Sequence, residues 1–296
     1  MGKQIPVGRR ARALEMEEGR LRVVSPDLAY QRLAIVNVVY YGPARAGRED
    51  WVLVDAGLPG STGRILAAAE ERFGPDARPS AIVLTHGHFD HVGALPDLTA
   101  RWDVPVYAHE LELPYLRGEA SYPAPDPSVG GGVMSRLAGL YPRGPIDVRP
   151  WLRPLPADGH VPEMPEWQWI HTPGHTPGHV SLWREFDRTL IAGDAFITTR
   201  QESAYAVALQ RPELHGPPMY YTQDWAAARA SVERLADLEP DLALTGHGRA
   251  VQGEPFRAAL RRLARDFDRV AIPEHGRYVD RPARPGGPHT AYPAPR

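Results

Sequence analysis

Residues 85–91 read Thr-His-Gly-His-Phe-Asp-His, which puts His86, His88, Asp90 and His91 within six positions. Imidazole nitrogens and a carboxylate at this spacing are the donors that suit Zn²⁺ and other borderline divalent metals. The run follows Ala81-Ile82-Val83-Leu84, a short apolar stretch that reads as a buried strand. The ligands therefore open from a strand end into a loop, a usual place for a site in a layered α/β protein. One such run cannot close two metal spheres, and three more donors stand at other strand ends. His175 lies in Thr172-Pro-Gly-His-Thr-Pro-Gly-His179, Asp194 in Ala192-Gly-Asp-Ala195, and His247 in Thr245-Gly-His-Gly248. Each is flanked by glycine, which lets the backbone turn tightly beside a bound ion. His171 and His179 read as supporting or packing residues, not ligands. Asp55, at the end of a strand, reads on its own either as a turn cap or as part of the site.

The elements that must position these residues alternate strand and helix. Residues 31–41 and 51–55 are rich in branched and aromatic side chains and read as strands, joined as a hairpin across Pro43 to Asp50. Ser61 or Thr62 can cap a helix through Phe73, which Gly74-Pro75 ends. The strand ending at Thr85 follows, then the ligand loop and a helix around 93–102. Between residues 113 and 165 proline and glycine are dense, with a short helix expected near Val133 to Leu140. Tyr115, Tyr122, Tyr141 and Trp151 mark this insertion as an ordered lid rather than a slack loop. Strand character returns at 167–170, 179–183 and 189–192. Asp224 is a suitable cap for a helix over 224–238 with Trp225, Ala228, Val232 and Leu235 on one face. A strand at 241–245 and an amphipathic helix over 254–268 complete the pattern, which is that of an α/β layered protein. The expected organisation is one domain over residues 1–280 with a lid-like insertion at about 113–165. A proline-rich tail follows over 281–296.

Composition excludes several chemistries. The 296 residues contain no cysteine, which removes disulfides, thiolate metal sites and cysteine nucleophiles. Lys3 is the only lysine, so Schiff-base chemistry has no carrier. A net charge of −2 gives no reason to expect nucleic acid or an anionic membrane as partner. The basic stretch Met1 to Arg12 lacks the apolar core of a secretory signal, and no run approaches a membrane span. The expectation is a cytoplasmic protein with a small-molecule substrate and room for a homodimer.

The five motif regions, in this order over roughly residues 30–270, resemble those of the metallo-β-lactamase-fold hydrolases. That resemblance implies a four-layer αβ/βα sandwich with a metal centre at one edge. It implies that His86, His88 and His175 hold a first ion, that Asp90, His91 and His247 hold a second, and that Asp194 bridges the two. Asp55 matches the family's early aspartate that orients the ligand loop. Two divalent ions are implied, zinc first, with manganese or iron as alternatives. A water bridging such ions loses its proton near neutral pH and attacks a carbonyl or phosphoryl centre, with Asp90 and Asp194 counted among the catalytic groups. Asp194 and the missing cysteine argue against an antibiotic-destroying β-lactamase. The His-Thr-Pro-Gly-His run at 171–175 is shared with lactonases, and Gly193-Asp194-Ala-Phe196 with thioester hydrolases of the glyoxalase II type. The expected activity is hydrolysis of a carboxylic ester-type bond, a lactone or thioester. A phosphodiesterase is the alternative if Arg200, Arg211 and Arg249 converge on the ions. A non-catalytic metal-binding scaffold ranks last.

Overall fold

The computed structural model describes residues 5–7, 19–203, 213–283 and 292–293. The chain divides into two compact units. One comprises Glu15–Tyr122 and Arg143–Gln168; the other comprises Met1–Leu14, Pro123–Pro142 and Trp169–Tyr292, with the last residues, Pro293–Arg296, counted to the first.

The first unit is built on a seven-stranded sheet. Its strands are β1 (Leu21–Ser25), β2 (Leu28–Leu33), β3 (Val36–Tyr41), β4 (Val52–Val54), β5 (Ala81–Val83), β6 (Val106–Ala108) and β7 (Leu152–Pro154), in sequential order across the sheet. The first four pair antiparallel; from β4 to β7 every pairing is parallel, in the registers Val52↔Ala81, Ile82↔Val106 and Val106↔Leu152. The parallel strands Val52-Leu-Val54 and Ala81-Ile-Val83 are apolar at every position and buried throughout, as strands covered on both faces must be. Helices α1 (Thr62–Phe73), α2 (Phe89–Val92) and α3 (Leu95–Trp102) belong to this unit. Trp51 anchors its core, stacked on Phe73 with centroids 4.4 Å apart and meeting Trp102 edge-on at 5.7 Å.

The stretch 31–41, expected as one strand, is two. β2 and β3 fold back on each other across Ala34 and Ile35, with Leu33 opposite Val36. Ala34 takes the left-handed conformation, φ 58°. Neither residue is of the Asn-Gly type that announces a two-residue hairpin, so the turn left no mark in the sequence.

The second sheet has six strands in the order β8 (His160–Val161), β9 (Met164–His171), β10 (Val180–Arg184), β11 (Thr189–Gly193), β12 (Leu242–Thr245) and β13 (Val251–Gln252). β10 and β11 form an antiparallel hairpin, whereas β11 and β12 run parallel with Thr189 opposite Leu242. The segment 113–165 contributes α4 (Leu113–Leu116), α5 (Val133–Leu137) and a following turn of 3₁₀ helix to Leu140. It also supplies β7 and β8, so part of the insertion is sheet. Two further helices, α6 (Trp225–Asp237) and α7 (Glu254–Arg265), bury Trp225, Val232, Leu235, Phe256, Leu260 and Leu263 in the core of the second unit. A short α8 (Phe267–Val270) follows where a single helix to 268 was expected. Among the described residues, no helix is long and apolar enough to cross a membrane.

Candidate metal centre

All seven candidate ligands are buried, none more than 6 % exposed. A buried imidazole or carboxylate must have its polar atoms satisfied, so the useful question is which atoms the protein itself occupies. In the first unit Asp55 is the organiser. Its Oδ1 accepts the Thr85 backbone N–H at 2.8 Å, and its Oδ2 accepts both the Thr85 hydroxyl and His91 Nδ1, each at 2.8 Å. To do this it takes the left-handed conformation, φ 62°, directly after β4, a region Asp enters more readily than most residues. The Thr85 hydroxyl proton is thus given to Asp55, so Thr85 Oγ1 accepts from His86 Nδ1 at 3.1 Å. Both rings then carry their proton on Nδ1 and turn an Nε2 lone pair outward.

The ligand loop is held by its own local structure. His88 precedes α2, whose first turn is bonded to the His88 carbonyl by the N–H groups of His91 and Val92. Ala56 donates to the His91 carbonyl at 2.6 Å, tying the loop after β4 to α2. The N–H of Gly87, between His86 and His88, donates to Glu112 Oε2 at 3.0 Å and to the Tyr122 hydroxyl at 3.1 Å.

The second unit prepares its residues in the same way. His175 sits in the turn between β9 and β10, and Gly174 is seated on the start of α6. The Gly174 carbonyl accepts from the N–H groups of Gln223 and Asp224, each at 2.9 Å. A Cβ on Gly174 would lie 2.3 Å from the Ala228 nitrogen, so only glycine fits. His175 Nδ1 faces Thr222 Oγ1 at 3.4 Å; that hydroxyl donates to the Pro218 carbonyl at 2.7 Å and so acts as acceptor here. Asp194 follows β11, and its N–H donates to His179 Nε2 at 2.8 Å. The His179 proton is therefore on Nδ1, which faces Thr172 Oγ1 at 2.9 Å; that hydroxyl continues to Ser181 and on to the Ala192 carbonyl. His247 follows β12, with Nε2 3.1 Å from Asp194 Oδ2, and His175 Nε2 lies 3.4 Å from the same oxygen.

His179 thus supports Asp194, in keeping with its reading as a supporting residue. Thr85, Thr222 and Glu112 went unassigned in the sequence. Thr85 opens the ligand run and was in plain view; Thr222 and Glu112 carried no signal. Tyr122, expected in a lid, is fully buried beside Glu112, and burial together with that carboxylate pushes its phenol well above 10, so it stays a neutral donor. Arg211 lies outside the described residues.

The family model described as "Metallo-beta-lactamase superfamily" matches residues 32–247. The chain belongs to this superfamily. It is 48 % identical over 226 residues to the probable metallo-hydrolase YflN of Bacillus subtilis, covering 76 % of this chain and 86 % of that protein. It is 32 % identical over 173 residues to the probable metallo-hydrolase YybB of the same organism, covering 58 % and 66 %. Among solved structures, a β-lactamase domain protein from Burkholderia ambifaria aligns with a TM-score of 0.60 at 17 % identity, over 87 % of this chain and 80 % of that one. That similarity concerns the fold, which is the α/β architecture expected of the superfamily. The chain is a metal-dependent hydrolase whose His and Asp side chains form its candidate metal-binding groups.

Proposed function

We propose that this hydrolase holds two divalent ions, zinc first, and opens a carboxylic ester-type bond in a lactone or thioester. His86, His88 and His175 would hold one ion, Asp90, His91 and His247 the other, and Asp194 both. The support is that, among the described residues, His86, His88 and His175, then His86, His91 and Asp194, then Asp90, His91 and His247 bring ligand atoms within 4.8 Å of one another. The donor chemistry fits. His86, His91 and His175 each have Nδ1 turned to a protein acceptor, which leaves Nε2 as the metal-binding atom. When bound, paired ions supply a water deprotonated near neutral pH and a Lewis acid for the oxyanion. The residues contribute orientation: Asp55, Thr85 and Thr222 fix the rings, and His179 fixes Asp194.

The observation that carries the choice of bond is the charge of the ligand motifs. Residues 85–91, 171–179 and 193–196 contain no Arg or Lys. A phosphodiester brings a negative charge in its ground state and is usually met by Arg or Lys, whereas a carbonyl needs only a stabiliser for its oxyanion. Arg200, the nearest basic residue after Asp194, gives its Nη2 to the Gly130 carbonyl at 3.1 Å. Arg249 favours the phosphodiesterase alternative, since its buried Nε, two residues beyond His247, has no hydrogen-bond partner among the described residues. Zinc- and manganese-loaded protein assayed on a lactone, a thioester and a bis-aryl phosphodiester decides between them. The proposal expects kcat/KM to be highest on a lactone or thioester; a far higher value on the phosphodiester would reverse it.

A further inference from the structure

Glu112 and Tyr122 lie well outside the ligand motifs in sequence, yet they converge on the one residue that separates His86 from His88. Glu112 ends a 3₁₀ turn, Glu110–Glu112, whose start is capped by His109, and it is completely buried. Tyr122 is also completely buried, stacked on Tyr115 with ring centroids 3.8 Å apart and planes at 12°. Its hydroxyl donates to Glu112 Oε2. That same oxygen and the phenol oxygen both receive the Gly87 N–H, at 3.0 and 3.1 Å. The Tyr122 ring also meets His88 edge-on, with centroids 4.5 Å apart.

Three features make this more than ordinary packing. Burying a carboxylate is costly, and an apolar side chain of similar volume would fill the space at less expense. The contact admits no side chain at position 87, because a Cβ there would stand 2.5 Å from the Tyr122 hydroxyl. The pair also touches the ligand loop between two candidate ligands of the same ion, where a small shift changes the separation of both imidazoles. We infer that Glu112 and Tyr122 are positioning residues that set the spacing of His86 and His88 by clamping the Gly87 N–H. The inference rests on the metal-site reading proposed above. Neither residue is exposed to a substrate; they act through the ligands. Partners that orient metal ligands from behind are typically worth 10- to 100-fold in metal affinity or activity.

The test uses the full chain as Tyr122→Phe, Glu112→Gln and His86→Ala variants. Co²⁺ and Zn²⁺ are titrated against a chromophoric chelator, and the visible spectrum of the cobalt form is recorded. Circular dichroism and the melting temperature of the metal-free proteins report folding. Tyr122→Phe should stay folded, weaken Co²⁺ and Zn²⁺ binding about 10-fold or more, and shift the cobalt bands, because the coordination geometry has changed. Glu112→Gln keeps an acceptor for Gly87 and should show a smaller shift in the same direction. If Glu112→Gln does not fold, Tyr122→Phe alone carries the test. Wild-type affinity and wild-type cobalt bands in Tyr122→Phe, with His86→Ala losing metal, would overturn the clamp and leave the site standing. Unchanged metal binding in His86→Ala would overturn the site reading itself, and the clamp with it.

Discussion

Asp55 receives three hydrogen bonds through two oxygens, and the tautomers of two histidines depend on it. Asn at this position tolerates the left-handed backbone, so Asp55→Asn removes the carboxylate without disturbing the chain. An amide oxygen can serve only part of the set, and the amide N–H₂ would face a donor. Buried donors left unsatisfied cost about 1–3 kcal/mol. The expected outcome is weaker metal binding and a drop in kcat/KM of at least about tenfold, measured by metal titration and steady-state kinetics; unchanged values would show that Asp55 is only a turn cap. Asp90 differs in kind. It sits in the first turn of the four-residue α2, within the ligand loop and not at the end of a core strand. Asp90→Ala should abolish most turnover while the melting temperature of the metal-free protein changes little.

The helices that seat the ligand turns were the most readable elements. Asp224 was expected to cap the helix beginning at Trp225, and its Oδ1 accepts the Ala227 N–H at 3.0 Å. Asp224→Ala should cost about 1 kcal/mol, lowering the melting temperature by roughly 2 °C for a chain of this size. The strands at the ligands were readable too, because each apolar run ends in a glycine-flanked donor. What stayed hidden were contacts set by tertiary approach. The hairpin at Ala34–Ile35 has no turn residues, and Glu112 is one acid among many until the fold brings it to Gly87. The insertion was read by its aromatics, yet Tyr115 and Tyr122 are buried supports and Trp151 gives its indole N–H to Asp103 at 2.7 Å. The part that fits a lid is narrower: Val133, Leu137 and Leu140 are exposed along one short helical run. Replacing 133–140 with a Gly/Ser linker should alter selectivity between short- and long-chain lactones at constant metal content. Identical selectivity would mean the run plays no part in substrate choice.

At the scale of the whole molecule, all seven candidate ligands are buried. On the proposed reading the ions are part of what holds the native state. Anything bound by the folded form alone stabilises it, by about 2.7 kcal/mol at a free concentration 100 times Kd. Chelation by EDTA should therefore lower the melting temperature by roughly 5 °C or more, and added Zn²⁺ should restore it. Elemental analysis of remetallated protein should give two equivalents per chain, and fewer in His247→Ala. One equivalent in both proteins would leave a single-ion site and overturn the second.

Asp194 and His247 are in contact, yet 53 residues separate them along the chain. Their strands are adjacent and parallel, so the pairing cannot be made by a local turn and must wait for the intervening chain, including α6, to close the loop. Such long-range pairings are slow to form. During synthesis, which runs from the N-terminus, Asp194 leaves the ribosome well before its histidine exists. The first unit's cluster at 86–91, by contrast, has Asp55 and Thr85 already made when it emerges. The two ligand groups are therefore born at different times, the one at 86–91 first.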